Sequence, residues 1–299
     1  MRLDGLFAGA SSPVGELAGG ASSLEIVTLA YDSRQVTPGT LFFCVPGFTS
    51  DGHDFAEQAV RAGAAALVVE RPLGLGVPEV VVPSVRAAMA PVGARFYGEP
   101  ARELQVVGVT GTNGKTTTAY LVRALLEATG QQCGLLGTVK SVIGGQEHPV
   151  ARTTPEAIDL QADLRAMLDA GDRACAMEVS SHALALGRVD TIPFAAAVFT
   201  NLTQDHLDFH ESMEDYFQAK RRLFAPGSAD GEVEAPAVSV INAGDPYGRR
   251  LAAEVKDART FAVDAPADYS ATEVRCDLAG CTFTLSTPAG RRELTLPMP

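Results

Sequence analysis

The stretch GVTGTNGKTTT, from Gly108 to Thr118, constrains the fold of this chain more than any other segment. It begins inside LQVVGVT, an apolar run of the kind found in strands buried in a parallel sheet. It continues into KTTTAYLVRALLEATG, which predicts a helix that ends at Gly130. A strand, a glycine loop and a helix in this order indicate an α/β fold built on a doubly wound parallel sheet.

The same loop indicates a nucleotide-phosphate site. Gly111 and Gly114 would let backbone N–H groups close around phosphate oxygens, with the N-terminus of the following helix directed at the anion. Lys115 would reach the β- and γ-phosphates, and the Thr116 hydroxyl would bind Mg²⁺. The strict Walker pattern requires a glycine where this chain has Val109, and its glycine lies one place earlier. We predict ATP or GTP binding; the alternative is a glycine turn beside a chance Lys-Thr pair.

Further strands alternate with helical or polar segments and indicate the architecture. The other buried-strand candidates are TLFFCVPG, AALVVE, EVVVP, RACAMEV, FAAAVFTNL and AVSVIN. We predict a small N-terminal α/β domain over residues 1–100, then a domain over residues 101–299 with a P-loop, a doubly wound, mostly parallel sheet and a β-rich tail. We expect Pro91 to interrupt the helix SVRAAMAPVGARFYG, and the tail from Tyr269 to Leu296 to form a hairpin around Pro-Ala-Gly.

Composition and charge exclude several classes of function. The formal net charge of −12 argues against non-specific nucleic-acid binding, which requires clustered Lys and Arg, but not against a nucleotide substrate. No apolar run approaches the roughly 18 residues of a membrane span, and the first 20 residues lack the apolar core of a signal peptide. Five scattered cysteines without a CxxC pair indicate reduced, mostly buried thiols, so a disulfide between Cys276 and Cys281 would be a surprise. We therefore expect a cytoplasmic protein.

Two polar segments follow buried strands and are expected at the same edge of the sheet as the glycine loop. Glu178 follows RACAM, and NLTQDHLDFH, from Asn201 to His210, follows FAAAVFT. Glu178 and His206 could share a metal ion there, and one carboxylate with one imidazole beside a triphosphate suits Mg²⁺ or Mn²⁺. The alternative is that His206 only caps the loop or forms a hydrogen bond within it.

Two other chemistries receive little support. His206 and His210 have i, i+4 spacing, but without an HExxH motif or a nearby cysteine they do not indicate zinc. Ser180 and Ser181 stand beside His182, yet the GxSxG elbow of a serine nucleophile is absent.

Lys220 lies in SMEDYFQAKRRLF, which predicts a helix capped by Ser212. From chemistry alone, Lys220 is interpreted as a solvated helix lysine. Asp205, Asp208 and His210 are interpreted as residues that shape and anchor the loop leading into this helix.

Together these segments resemble the Mur ligases, the ATP-dependent amide-forming enzymes of peptidoglycan precursor synthesis. The resemblance rests on long motifs in order: YDSRQVTPGTLFFCVPGFTSDGHDF, GVTGTNGKTTT, TTPE, MEVSSHALALGRV, NLTQDHLDFHESMEDYFQAKRRLF and VINAGDPYG. Within the family, the chain is most similar to the type that adds the third peptide residue. This implies an N-terminal domain that binds the uridine-nucleotide substrate and a central domain that binds ATP.

The family pattern implies the site residues. The uridine-nucleotide site would contain Tyr31, Ser33, Phe48, Thr49 and Ser50, and the muramoyl-dipeptide site Thr153, Thr154, Ser180 and Arg188. ATP would be bound by Thr110, Gly111, Thr112, Asn113, Gly114, Lys115, Thr116 and Thr117, with Asn242 and Asp245 near the adenine and ribose. The catalytic residues would be Lys115, Glu178, His206 and Lys220, and the Mg²⁺ ligands Thr116, Glu178, His206 and a carbamylated Lys220. A carbamate turns this lysine into an anion able to hold a second Mg²⁺, which reverses the interpretation from chemistry alone.

The chain also departs from the family pattern. Arg152 precedes TTP where asparagine is common, and Leu186 stands where some members place a glutamine. In the family, the central domain continues past LTLPMP and a C-terminal domain follows that selects the incoming amino acid, whereas this chain stops at Pro299. We therefore expect an incomplete central domain and no C-terminal domain.

The resemblance implies a monomeric ligase in which a glutamyl carboxylate of UDP-N-acetylmuramoyl-L-alanyl-D-glutamate attacks ATP. The amine of a diamino acid, with meso-diaminopimelate favoured over L-lysine, would then attack the acyl phosphate. Neither nucleic acid nor membrane insertion is expected. The alternatives are a catalytically incomplete nucleotide-binding fragment, a folylpolyglutamate synthetase-like ligase, and a P-loop kinase or GTPase. The YDSR…VPG unit argues against the synthetase, and the lack of an NKxD motif against the GTPase.

Overall fold

The computed structural model describes residues 1–8, 23–206, 208–225, 234–278 and 280–297, and the chain divides into two compact units. The first unit comprises Met1–Glu103, Pro155–Asp169 and Leu186–Thr191, and the second comprises Leu104–Thr154, Ala170–Ala185 and Ile192–Pro299. No sequence pattern indicated that two later segments cluster with the N-terminal one. Most of the segment tested above for a signal peptide lies outside the described residues.

The α-helices and the strands are each numbered in chain order. The helices are α1 Leu3–Phe7, α2 Ala56–Ala62, α3 Val85–Phe96, α4 Lys115–Ala128, α5 Ala157–Asp169, α6 Ser181–Ala185, α7 Met213–Arg221 and α8 Pro246–Glu254. The strands are β1 Thr28–Ala30, β2 Thr40–Phe43, β3 Ala64–Val69, β4 Glu79–Val81, β5 Gln105–Thr110, β6 Cys133–Leu136, β7 Ser141–Ile143, β8 Gln146–His148, β9 Ala174–Glu178, β10 Ala196–Phe199, β11 Val238–Asn242, β12 Arg259–Val263, β13 Tyr269–Asp277, β14 Gly280–Thr287 and β15 Gly290–Leu296.

The first unit is built on a parallel sheet of order β1-β2-β3-β4. Successive side chains of a strand point to opposite faces, so Leu41 and Phe43 enter one apolar cluster while Phe42 enters another. The first cluster also contains Met89 of α3 and Ile158 of α5, and the second is completed by α2. Both faces are therefore covered, which explains why β2 and β3 are apolar along nearly their whole length.

Helix α3 is continuous, so the expected interruption at Pro91 is wrong. Proline removes one backbone donor, which in a regular helix would bond the carbonyl of Ala87. The loss is offset by the cap at Ser84, whose side chain accepts from Ala87 N at 3.2 Å, and by burial of Met89 and Val92.

The second unit contains a sheet of order β15-β14-β13-β12-β11-β10-β5-β9-β6-β7-β8. Its strands are parallel from β13 through β6, and antiparallel pairs form both edges. The predicted α/β class with a mostly parallel sheet is confirmed. Strand β5 lies between β9 and β10 and is parallel to both. The glycine loop after Thr110 therefore lies at the carboxyl ends of the strands, together with Glu178 and Thr200.

The tail contains the predicted hairpin, formed by β14 and β15, and β13 adds a further antiparallel strand. Cys276 and Cys281 are directly paired on β13 and β14 and form a disulfide. The expectation of reduced thiols is wrong for this pair, because strand pairing brings the two side chains together. Cys44, Cys133 and Cys175 are buried thiols, as expected.

None of the helices in the described ranges is both long enough and apolar enough to span a membrane.

Candidate active site

The glycine loop joins the end of β5 to the start of α4. Gly111 has φ +148° and Gly114 has φ +82°, backbone conformations that favour glycine. A Cβ on Gly111 would also collide with the Thr200 hydroxyl. No side chain caps the N-terminus of α4, so its first N–H groups can bind an anion.

The loop is fixed by the segment that follows β10. Asn201 accepts from Thr112 N at its backbone oxygen, 2.9 Å, and from Asn113 N at its side chain, 3.0 Å. The Asn201 amide and the Thr200 hydroxyl both donate to Asn113 O, at 3.0 and 2.6 Å. Asn201 was not predicted as a site residue, although its place directly after β10 could have indicated it.

Lys115 bends back over its own loop. Its Nζ donates to Gly111 O at 3.0 Å and to Thr112 O at 2.8 Å. Burial lowers the pKa of Lys115, and the carboxylates of Glu178 and Asp205 oppose this shift. The ammonium therefore lies at the loop where a phosphate would bind.

Glu178, at the end of β9, is the buried carboxylate of the site, with 1% exposure. It accepts from Thr116 Oγ1 at 3.0 Å, and from Thr138 N at 2.8 Å and Thr138 Oγ1 at 3.1 Å. The structure thus brings together Thr116 and Glu178, two of the predicted metal ligands. Thr138 was not identified from the sequence, because it follows a strand of unremarkable composition.

His206 lies in a left-handed turn with φ +51°, and its N–H donates to Asp205 Oδ1 at 2.9 Å. Its ring is 5.0 Å from that of His182 and 6.1 Å from that of Tyr216. No described contact joins His206 to Glu178. Within the described residues, no cluster of three or more His, Cys, Asp or Glu side chains is arranged to hold a metal ion.

Lys220 is buried, with 1% exposure, so its interpretation as a solvated lysine is wrong. The reason is that α7 turns this face inward together with Tyr216 and Phe217. Lys220 Nζ donates to Gly111 O at 3.0 Å and lies 4.6 Å from the centre of the Tyr216 ring. Burial lowers the pKa of Lys220 well below its ordinary value, and nearby Lys115 lowers it further.

The Tyr216 ring that contacts Lys220 packs in turn against the His210 ring. Tyr216 is fully buried, its hydroxyl lies 3.3 Å from Thr112 Oγ1, and the His210 ring lies 4.9 Å from its own. His210 Nδ1 lies 3.1 Å from Asp215 Oδ2. His210 therefore connects the polar loop to the first turn of α7, while the Asp208 side chain is exposed.

Asn242 and Asp245, predicted near the adenine and ribose, hold the backbone beside the loop. Asn242 Nδ2 donates to Thr200 O at 2.7 Å. Asp245 accepts from Leu202 N at 3.2 Å and caps α8 by accepting from Gly248 N at 2.9 Å.

The predicted muramoyl-dipeptide residues of the second unit adjoin Glu178. Thr154 Oγ1 donates to Glu178 O at 2.8 Å and accepts from Ser180 N at 3.1 Å. Thr153 Oγ1 lies 3.1 Å from Thr138 Oγ1. A row of hydroxyls thus extends from the phosphate loop along this edge of the sheet.

The remaining predicted substrate residues belong to the first unit. Tyr31 donates to Asp159 Oδ2 at 2.5 Å, and Ser33 donates to Gln58 Oε1 at 3.3 Å. The predicted residues of the turn after β2 are Phe48, Thr49 and Ser50, all exposed, with Phe48 at 79%. Arg188 Nη2 donates to Glu156 Oε1 at 2.6 Å.

Two family models match this chain. The model described as Mur ligase middle domain matches residues 109–299, and the model described as Mur ligase family, catalytic domain matches residues 25–98. The chain belongs to the Mur ligase family. In this Mur ligase chain, the first match contains every residue of the phosphate loop from Thr110 to Thr117, together with Glu178 and Lys220.

Several relatives of this Mur ligase chain carry one name, UDP-N-acetylmuramoyl-L-alanyl-D-glutamate–2,6-diaminopimelate ligase. The Geobacillus thermodenitrificans protein is 48% identical over 270 residues, which is 89% of this chain and 55% of the relative. The Alkaliphilus metalliredigens protein is 43% identical over 286 residues, 94% of this chain and 56% of the relative. A solved structure of a ligase with that name has a TM-score of 0.79 at 29% identity, covering 95% of this chain and 58% of the other. The chain therefore spans a little over half the length of these relatives.

Proposed function

We propose that this chain is the nucleotide- and UDP-substrate-binding part of an ATP-dependent ligase that extends the peptide of UDP-N-acetylmuramoyl-L-alanyl-D-glutamate. The amino acid added is meso-diaminopimelate, in keeping with the names of the relatives, with L-lysine as the runner-up. The observation that carries the proposal is the contact between the phosphate-loop Thr116 and the buried Glu178, beside an uncapped helix N-terminus. A carboxylate and a hydroxyl placed this way suit a nucleoside triphosphate with its bound cation.

The residues present fit Mg²⁺. Glu178 and Thr116 supply a carboxylate and a hydroxyl oxygen within 3.0 Å of each other, and hard cations prefer oxygen ligands together with substrate phosphates. His206 and carbamylated Lys220 complete the proposed ligand set. When bound, Mg²⁺ neutralises charge on the transferred phosphoryl group.

The chain's own residues would bind and orient the nucleotide. The first N–H groups of α4 and the loop from Gly111 to Gly114 hold the phosphates. Lys115, which already contacts this loop, places a positive charge where negative charge develops on the γ-phosphoryl group. Asn113 and Asn201, paired through two hydrogen bonds, hold the loop in this shape.

The reaction proceeds in two steps. An oxygen of a free glutamyl carboxylate attacks the γ-phosphorus, and the bond between that phosphorus and the bridging oxygen of ADP breaks. The amine of the incoming amino acid then attacks the carbonyl carbon of the acyl phosphate. Inorganic phosphate leaves with its electron pair, the amine releases a proton, and an amide remains. Phosphate is a far better leaving group than hydroxide, which is why ATP is consumed.

The rest of the assignment follows from this function. Residues 1–100 are assigned to UDP-substrate binding and residues 101–299 to ATP binding. The ligase acts as a monomer in the cytoplasm, where ATP and the uridine nucleotide are available. Thr153, Thr154, Ser180 and Arg188 hold the muramoyl-dipeptide part of the substrate.

The test is phosphate release by protein produced from the whole coding sequence. Release should require ATP, the UDP-muramoyl-dipeptide and an amino acid together, with meso-diaminopimelate more active than L-lysine. Lys115→Ala should lower turnover by at least about a hundredfold, because the transferred phosphoryl group loses its cation. Lys256→Ala, at an exposed position, is the matched control and should be unaffected. Turnover of Lys115→Ala within a few-fold of wild type, or release without the UDP substrate, would refute the proposal.

A further inference from the structure

The start of α5 carries two acidic residues that contact predicted substrate residues from distant parts of the sequence. We propose that Glu156 and Asp159 are positioning residues for the uridine-nucleotide substrate, Glu156 through Arg188 and Asp159 through Tyr31. The inference rests on the proposed function, because it concerns the binding of that substrate. All four residues belong to the first unit.

Glu156 lies immediately before α5 and is 7% exposed. Arg188 Nη2 donates to its Oε1 at 2.6 Å, and Arg86 Nη1 lies 3.5 Å from its Oε2. Arg86 also donates to the carbonyl of Pro46 at 3.4 Å, next to the turn predicted to bind uridine. Glu156 therefore connects two segments with predicted substrate roles.

The charges of this group explain why the position of Arg188 depends on Glu156. One carboxylate lies between two guanidinium groups, and the Glu156 and Arg188 side chains are about one-tenth exposed. Without the negative charge, both guanidinium groups would lose the carboxylate that neutralises them, where little solvent is available to screen their charge. Loss of this ion pair would therefore loosen the position of Arg188, a residue predicted to contact the substrate.

Asp159 holds Tyr31 in a comparable way. The Tyr31 hydroxyl donates to Asp159 Oδ2 at 2.5 Å, across 128 positions of sequence. The Tyr31 ring is partly buried against the apolar cluster of the first unit. The hydrogen bond to a charged acceptor fixes the direction of the hydroxyl, and the cluster fixes the plane of the ring.

The positions of the two acids relate these contacts to each other. Glu156 flanks the N-terminus of α5, where its carbonyl accepts from Leu160 N at 2.8 Å, and Asp159 lies in the first turn of the same helix. A single rigid element therefore sets the positions of a residue predicted for uridine and of one predicted for the muramoyl-dipeptide.

The experiment measures equilibrium binding of two probes to this chain, UDP and UDP-N-acetylmuramoyl-L-alanyl-D-glutamate, with an ATP analogue as a third readout. Asp159→Asn should weaken both uridine probes by a similar factor, about fivefold to tenfold, since Tyr31 serves the part they share. Glu156→Gln should weaken the dipeptide substrate about tenfold and UDP by much less. ATP-analogue binding should not change. Asp169→Asn, on the exposed end of the same helix, is the matched control.

Double variants separate positioning from general destabilisation. In an Arg188→Met background, Glu156→Gln should change the affinity for the dipeptide substrate by less than about twofold, because its route of action is gone. Asp159→Asn should likewise have little effect in a Tyr31→Phe background. If Glu156→Gln folds poorly, Glu156→Asp replaces it in the experiment. This variant keeps the negative charge but moves it one methylene away from Arg188, so it should weaken binding of the dipeptide substrate by a smaller factor and again leave UDP less affected.

Failure of the positioning inference and failure of the proposed function give different results. If wild type binds the dipeptide substrate and both acid variants bind it equally well, the positioning inference is overturned and the proposed function stands. Equal weakening of all three probes would show a structural role and overturn the inference. If wild type binds the ATP analogue but neither uridine probe, the proposed function fails, and the inference fails with it.

Discussion

Lys115 and Lys220 both donate to the carbonyl oxygen of Gly111, each at 3.0 Å. Two ammonium groups on one carbonyl repel each other, and burial further disfavours the charge on Lys220. The lone pair of a neutral amine can attack the carbon of CO₂, and the nitrogen then releases a proton to solvent. The resulting carbamate carries a negative charge that Lys115 would attract. These contacts support the proposal that Lys220 is carbamylated.

Labelled CO₂ tests this expectation. Wild-type protein equilibrated with ¹³C-bicarbonate should show one slowly exchanging carbamate carbon by NMR, and Lys220→Gln should lack it. Lys115→Gln should weaken the signal, since the carbamate loses its neighbouring cation. Retention of the full signal in Lys220→Gln would place the carbamate on another amine.

Some residues of the site were predictable from the sequence and others were not, for a physical reason. Gly111, Gly114 and Thr116 were identifiable because a phosphate loop needs fixed local chemistry at fixed spacing. Lys220 was misjudged, because its burial depends on how α7 packs, which its own composition does not report. Asn201 was missed because its hydrogen bonds to the phosphate loop depend on β10 lying beside β5.

At the scale of elements, the strand and helix patterns predicted the sheet because buried parallel strands need continuous apolar runs. Two predictions were wrong because the outcome depended on interactions between elements. Helix α3 remains continuous at Pro91 because packing and its N-terminal cap offset one lost hydrogen bond. The disulfide between Cys276 and Cys281 depends on the pairing register of β13 and β14, which the sequence did not reveal.

Helix α5 gives a stability prediction that depends on pH. Burial, and then the nearby Asp159 carboxylate, raise the pKa of Asp163 from 3.8 to about 6. Between these values the folded protein keeps a proton that the unfolded chain has lost, so stability falls as pH rises through this range. The penalty is complete above about pH 6.

Asp163→Asn should remove this penalty. At pH 7.5 the variant should be more stable to urea than wild type by up to about 2 kcal/mol, with the gap closing as the pH falls toward 4. Asp169→Asn, an exposed acid of the same helix paired with Arg165, should show no such gain. A stability difference between Asp163→Asn and wild type that stays constant from pH 4 to 7.5 would contradict the raised pKa of Asp163.

At the scale of the whole molecule, the two units carry different parts of the proposed chemistry. The first contains the predicted uridine residues, the Glu156–Arg188 pair and the Asp159–Tyr31 pair, and the second contains the phosphate loop with Glu178 and Lys220. A phosphate loop alone is compatible with kinases, GTPases and ligases. Membership of the Mur ligase family supports a ligase among these. In the proposed function, ATP activates a substrate carboxylate.

Oxygen transfer tests that claim most directly. Protein from the whole coding sequence would be given ATP, meso-diaminopimelate and UDP-N-acetylmuramoyl-L-alanyl-D-glutamate labelled with ¹⁸O in both free glutamyl carboxylates. Because the attacking carboxylate oxygen becomes the bridge of the acyl phosphate, the phosphate released should carry one ¹⁸O atom for each amide formed. Amide formation with unlabelled phosphate, or phosphate release without amide, would contradict activation of the carboxylate by ATP.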